Sequence, residues 1–319
     1  MSASREHAEQ LFARLTAGDR AALGRALTLV ESTLPGDQDA VAHLLDACLS
    51  HDVSAVRIAI TGLPGAGKST LIDRIGMQWI AEGHRVAVLA IDPSSTRTGG
   101  SILGDKTRME RLSTASEAFV RPSPTSGMLG GIAGSTREAM LVCAAAGYDV
   151  VMIETVGIGQ SETAVADLVE CVLMVSLAGG GDGLQGIKRG ILEVADIVAV
   201  NKADGENLKP AEASARELRE ALHLLRPDDD VPVMPVSATT GYGLDELFAS
   251  LICRVRSMPI QAWSTRGDAF MGAVRRALDA AMAPHGSLHE TLTAFRDEAE
   301  SGHMGPWEAA LAFIRSLRT

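Results

Sequence analysis

The chain is 319 residues long, is 46% hydrophobic, and carries 40 acidic against 29 basic side chains for a net charge of −11. That length holds one large α/β domain with extensions or two small domains, with ample apolar material for a core; aromatics are only 3%, so Ala, Val, Ile and Leu must fill it. The acidic balance argues against nucleic acid or an anionic membrane as the main partner, since both select a basic face, while a nucleotide needs only a local positive site.

No apolar run reaches the roughly 18 residues of a membrane span. The opening MSASREHAEQ contains Glu6 and Glu9 and no apolar segment, so it reads as neither a secretory signal nor a transit peptide. The four cysteines, Cys48, Cys143, Cys171 and Cys253, stand far apart among apolar neighbours with no C-x-x-C spacing. They read as reduced core residues in a reducing compartment. Only His285 and His289 are four apart, and Pro284 and Gly286 spoil the helix that a metal-binding pair there needs.

Residues 1–51 read as a helical extension. Leu23, Leu27 and Val30 recur at helical spacing, as do Val41, Leu44, Leu45 and Cys48. Pro35 and Gly36 punctuate between them, with Asp37 or Asp39 able to cap the second run. Residues 52–258 alternate apolar strands, at 56–61, 85–91, 118–121, 149–154, 171–178, 196–201 and 233–237, with helical stretches such as 136–146, 211–225 and 244–254. Continuous apolar strands alternating with helices predict an α/β fold: a mainly parallel sheet covered on both faces. Residues 259–319 are helical again, with Phe270, Val274 and Leu278 on one face and Trp307, Leu311, Ile314 and the stem of Arg318 on another. Such an amphipathic arm either folds back on its own subunit or packs on a second one, and the second is favoured because the sheet is already covered.

The stretch from Val56 to Leu71, VRIAITGLPGAGKSTL, organises the chain. An apolar β-branched run leads into Gly62, Leu63, Pro64, Gly65, Ala66, Gly67, Lys68 and Ser69, and a helix-forming run including Thr70 follows. This is a complete phosphate-binding loop, G-x-x-x-x-G-K-S, in its strand–loop–helix context. Glycines let backbone N–H groups turn inward around a phosphate, and the following helix offers unpaired N–H groups and a positive dipole end. Lys68 reaches the β- and γ-phosphates, and the Ser69 hydroxyl suits Mg²⁺. Three carboxylates follow. Asp92 ends an apolar strand, Asp105 lies in GGSILGDK, and Glu154 follows VVMI and precedes Thr155-Val156-Gly157. Mg²⁺ takes oxygen ligands, so one or two of these with Ser69 and phosphate suffice, and the Gly157 N–H suits the γ-phosphate. Each carboxylate alone has an ordinary reading as a helix cap, Asp92 most of all.

After the strand DIVAV come Asn201, Lys202, Ala203 and Asp204, the N-K-x-D guanine-reading pattern. An Asp carboxylate accepts two hydrogen bonds from the guanine ring N–H and 2-amino group, which adenine lacks, and a site built on such bonds discriminates by factors of about 10⁴. Ser237, Ala238 and Thr239, after a further strand, supply a backbone N–H suited to the guanine carbonyl oxygen. GTP is therefore expected over ATP. The hydrolytic machinery reads as incomplete: Ile158 is aliphatic where many GTPases carry a water-orienting glutamine, Gln160 lies two residues on, and Arg97, Arg108 and Arg189 are only candidates for an arginine finger. Slow intrinsic hydrolysis, open to stimulation by a partner, is the expectation. The glycine-rich run 177–188 ends in Lys188. It is either a plain surface connection or a nucleotide- or partner-sensing loop in which Lys188 reaches the site in one state.

LPGAGKST, IDPSS, GGSILGDKTRM, ETVGIGQSE, GGGDGLQGIKRGI and NKAD, in this order, resemble the MeaB/ArgK/MMAA family of metallochaperone-type P-loop GTPases, from about residue 20 to the end. The resemblance implies a GTPase chaperone of adenosylcobalamin-dependent methylmalonyl-CoA mutase, or a related acyl-CoA mutase, that gates cofactor loading and protects the mutase from inactivation. It implies a homodimer with the C-terminal arm taking part, Asp92, Asp105 and Glu154 in the Mg²⁺ neighbourhood, and switch segments at 92–108, 154–163 and 177–188. The human member is mitochondrial; without that targeting segment, this chain is expected in a cytoplasm. The D-x-H-x-x-G signature of cobalamin-binding domains is absent from the sequence, so the chain is not expected to carry cobalamin itself. The alternatives are a nickel- or cobalt-insertion GTPase, which usually needs Cys/His clusters, and an amino-acid-transport-associated kinase, which needs an acceptor site.

Overall fold

The structure, a computed structural model, describes residues 3–32, 34–51, 54–92, 109–124, 129–155, 165–178, 189–257, 266–282, 286–301 and 303–317. Three helices lead: α1 (Ala3–Thr16), α2 (Arg20–Val30) and α3 (Gln38–Ser50). Asp19 caps α2 through its carboxylate, which accepts the N–H groups of Ala21 and Ala22. Asp37 sits at the start of α3 without capping it; its carboxylate takes the Ser32 hydroxyl instead.

Seven strands follow: β1 (Val56–Gly62), β2 (Val86–Asp92), β3 (Ala118–Pro124), β4 (Val150–Thr155), β5 (Cys171–Leu177), β6 (Ile197–Asn201) and β7 (Val233–Pro235). They form one sheet in the order β3-β2-β4-β1-β5-β6-β7, with every pairing parallel. The central strands are buried on both faces, which is why they read as unbroken apolar runs. Connecting helices cover the sheet: α4 (Lys68–Ala81), α5 (Glu110–Thr114), α6 (Leu129–Ala145), α7 (Arg189–Val194), α8 (Leu208–Leu225) and α9 (Leu244–Ser257). On one face Ile58 and Ile60 pack with Leu71, Ile72 and Ile75 of α4 and with Leu247 and Leu251 of α9. On the other, Ala59, Val151 and Ile153 share a core with α6 and with Leu23, Leu27 and Leu44 of the leading helices, while α8 covers β6 separately.

Two helices begin earlier than their apolar periodicity. α6 opens through Gly130, Gly131 and Gly134, poor helix formers that read as loop. α8 opens before Pro210, which the first turn accepts because its N–H has no intrahelical partner there anyway. The cysteine expectation holds for three residues. Burial pushes the Cys48 and Cys143 thiols up to about 12 and raises that of Cys171 as well. Cys253 is the correction, since it lies on the exposed side of α9.

The last helices are α10 (Arg266–Met282), α11 (His289–Glu300) and α12 (Pro306–Ser316). Arg276 pins α10 to its own chain, pairing with Glu138 of α6 and donating to the Val30 carbonyl at 2.8 Å. Within the arm Phe313 meets Phe295 edge-on, and α12 buries Ala309 and Phe313 against its own chain. Trp307, at 84% exposure, faces solvent, as do Val274, Leu278, Ile314 and Leu317.

At the amino end of β1, remote from the phosphate loop, Arg57 and Glu170 form a buried pair, 3% and 1% exposed. Glu170 also accepts the Arg57 backbone N–H at 2.8 Å, locking the entry of β5 to β1. Removing one partner of such a pair leaves an uncompensated buried charge, which costs about 3–5 kcal/mol. Glu170→Ala is therefore expected to lower the thermal unfolding midpoint by roughly 10 °C, with guanine-nucleotide affinity retained at temperatures where the chain stays folded. A midpoint within about a degree of the parent would show the pair to be dispensable.

Candidate nucleotide site

The carboxyl ends of β1, β4 and β6 and the turn after β7 converge on one edge of the sheet. β1 is central, flanked by β4 and β5, and the segment leaving it is the phosphate loop. Gly62 has φ +137°, and a Cβ there would lie 1.9 Å from the Val175 carbonyl oxygen, so only glycine lets β1 exit past β5. Gly67 has φ +87° immediately before α4, and a Cβ there would lie 2.5 Å from Asn201 Nδ2.

Those close approaches hold the loop in shape. Asn201, only 2% exposed, donates through Nδ2 to the Ala66 carbonyl at 2.8 Å and accepts the Ala238 N–H at Oδ1 at 3.1 Å. One side chain thus ties the phosphate loop to the turn after β7. Lys68 is 7% exposed, and its ammonium lies across the loop, donating to the carbonyls of Gly62 at 2.9 Å and Leu63 at 3.2 Å. Pro64, Gly65 and Thr70 face solvent at the loop's outer side.

Ser69 Oγ donates to Glu154 Oε1 at 2.8 Å. Parallel pairing puts Glu154 beside Ile60 on one side and Ala90 on the other, and Asp92 ends β2 two positions beyond Ala90. A hydroxyl in contact with a carboxylate at a strand end offers oxygen atoms of the kind Mg²⁺ takes. Asp105, Gly157 and Lys188 lie outside the described residues, as do Arg97, Arg108, Ile158 and Gln160.

The base-reading candidates also come together. Ser237 Oγ donates to Asp204 Oδ2 at 2.5 Å and accepts the Thr240 N–H at 3.1 Å, so the carboxylate is held from the turn after β7. Lys202 takes the left-handed backbone conformation, φ +64°, which a side chain adopts only where its surroundings hold it there. Asn207 supplies part of that hold, donating to the Lys202 carbonyl at 2.6 Å.

Three positions escaped the motif reading. Arg74, six residues beyond Lys68, donates through Nε to the Ala238 carbonyl at 2.8 Å and through Nη2 to the Thr239 carbonyl at 2.7 Å. Its neighbour Asp73 is buried and accepts the Leu112 N–H at 3.0 Å, fixing α5 directly after residues 93–108. Asn207 is the third. Asp73, buried beside Ile72 on α4 with the half-buried Arg74 next to it, was the available signal, since burying a charged group is costly unless it is hydrogen-bonded.

Comparison with known proteins agrees with this geometry. The family described as "Methylmalonyl Co-A mutase-associated GTPase MeaB" matches residues 23–265. The chain is 58% identical over 247 residues to a putative GTPase of Caulobacter vibrioides, covering 76% of each chain. It is 51% identical over 242 residues to GTPase ArgK of Escherichia coli, covering 75% of this chain and 73% of that one. Among solved structures, it is similar to one described as a LAO/AO transport system kinase, with a TM-score of 0.66, 32% identity and 98% of each chain covered. With a phosphate loop at the centre of an all-parallel sheet and these relatives, the chain belongs to the MeaB/ArgK/MMAA family of P-loop GTPases.

Proposed function

We propose that the chain is a GTP-driven chaperone of an adenosylcobalamin-dependent acyl-CoA mutase, methylmalonyl-CoA mutase in the first instance, gating cofactor loading and protecting the mutase from inactivation. The observation that carries the proposal is the family match over residues 23–265, whose description names association with that mutase. Under this reading residues 62–70 cradle the phosphates and Lys68 neutralises charge that develops on the transferred γ-phosphoryl group. Ser69, Glu154, Asp92 and Asp105 would hold Mg²⁺, which would offset negative charge on the phosphate oxygens. Gly157 donates to the γ-phosphate, Asn201, Lys202 and Asp204 read the base with Ser237, Ala238 and Thr239, and Lys188 reaches the site when the partner engages. Residues 1–51 serve as a helical extension, 52–258 as the GTPase domain and 259–319 as the arm. The apolar side chains exposed on α10 and α12 support a homodimer built through that arm. The protein works in the cytoplasm; among the described residues, no helix is long and apolar enough to cross a membrane.

The test is GTP turnover by the purified chain, alone and with methylmalonyl-CoA mutase from the same source. Slow turnover alone and a rise of about 10³-fold or more with mutase is the expected result, matching what partner-supplied charge achieves in other GTPases. Lys188→Ala should lose most of that rise. Absence of both stimulation and complex formation would remove the mutase as client, and full stimulation of the Lys188 variant would return residues 177–188 to a plain surface connection.

A further inference from the structure

The geometry points to Arg74 as a positioning residue for recognition of the guanine carbonyl oxygen, acting through the turn after β7. The inference rests on the reading of Asp204 and that turn as the base site. Arg74 leaves the same helix that carries Lys68 and Ser69, and its guanidinium grips two consecutive carbonyls, those of Ala238 at 2.8 Å and Thr239 at 2.7 Å. In a trans peptide the carbonyl and the next N–H point in opposite directions. Holding the Ala238 carbonyl toward α4 therefore turns the Thr239 N–H away from it, and holding the Thr239 carbonyl does the same to the Thr240 N–H.

The second of these amides shows which way they face. The Thr240 N–H donates to Ser237 Oγ, which in turn donates to Asp204. The Thr239 N–H is thus turned to the side where the Asp204 carboxylate lies. The other amides of the turn have acceptors: Ser237 donates to Tyr242, Ala238 to Asn201 and Gly241 to Ser237. Among the described residues the Thr239 N–H has none, which leaves it to meet an acceptor on the ligand. On the purine that Asp204 reads through its ring N–H and 2-amino group, the adjacent acceptor is the carbonyl oxygen at position 6. A planar guanidinium suits the task because its donors form a rigid fork that fixes both peptide planes at once. Arg74 also makes the base turn and the phosphate-bearing helix one unit.

The experiment measures displacement of a fluorescent GDP from the full chain by GDP, IDP and 6-thio-GDP. IDP lacks the 2-amino group that Asp204 reads; 6-thio-GDP replaces the carbonyl oxygen by a weaker acceptor. The parent should disfavour both. Arg74→Ala should bind GDP roughly tenfold or more weakly, the effect of losing a charged hydrogen-bond donor. Its 6-thio-GDP to GDP ratio should collapse toward one while its IDP to GDP ratio persists. Arg74→Lys, which keeps a charged donor, should restore part of the 6-thio discrimination, and it carries the same ratio test if the alanine variant does not fold. Unchanged 6-thio discrimination in the variants, or equal loss of both ratios, overturns the assignment to Arg74. A parent that binds GDP and IDP equally overturns the Asp204 base site instead.

Discussion

Lys68→Ala is expected to abolish measurable GTP and GDP binding at micromolar nucleotide. The ammonium is 7% exposed and poised across the phosphate loop on the carbonyls of Gly62 and Leu63, so it meets incoming phosphates without first being desolvated from bulk water. Each charge-assisted hydrogen bond it makes there contributes about 1.5–3 kcal/mol. Two such bonds set the loss at roughly 10² to 10⁴ in affinity. The backbone N–H groups of the loop and the start of α4 remain, which is why the residual affinity is weak rather than zero. Titration calorimetry on the variant, with circular dichroism to confirm that the sheet has formed, measures it. Near-parental GTP affinity would remove residues 62–70 as the phosphate site.

Asp204→Asn is expected to move preference from GTP to XTP. A carboxylate accepts from both the ring N–H and the 2-amino group of guanine. An amide presents one acceptor and one donor, so the 2-amino group meets a donor and one hydrogen bond becomes a repulsion. Xanthine carries a carbonyl at that position, and the amide then satisfies both groups. Ser237 sharpens the prediction, because its hydroxyl holds one oxygen of Asp204 at 2.5 Å and can equally hold an amide oxygen. The variant therefore keeps the side-chain position while the recognition pattern changes. Discrimination by a buried hydrogen-bonding site runs to about 10⁴, so a loss of GTP affinity of more than about 10²-fold with a gain for XTP is the expected reading in competition binding. Unchanged base preference would take Asp204 out of the base site.

Much of this was legible in the chain itself. All seven strands announce themselves because a parallel sheet buries both faces of its strands, and VRIAI, VAVLAI, VVMI and DIVAV carry no competing pattern. The phosphate loop was legible because its chemistry is local: glycines, lysine and serine act within eight consecutive positions. Strand alternation also determined that Glu154, Asn201 and Ser237 would arrive at one edge of the sheet, since chain order in a parallel sheet puts every carboxyl end on the same side.

Side-chain partners were not legible, and the reason is distance along the chain. Arg74 meets Ala238 across 164 positions, and Arg57 meets Glu170 across 113; neither pairing has a local signature. That Asn201 fills the space a Cβ at Gly67 would need, or that Cys253 rather than Cys48 points outward, depends on how helices rotate against the sheet. The same holds for α12, where the residues that face its own chain, Ala309 and Phe313, are set by how the helix lies against α11. Residue order sets the elements, their direction and the phosphate chemistry, because these follow from backbone geometry and nearest neighbours. Which polar groups join the phosphate loop to the base turn is settled only when packed elements bring remote residues within hydrogen-bonding distance.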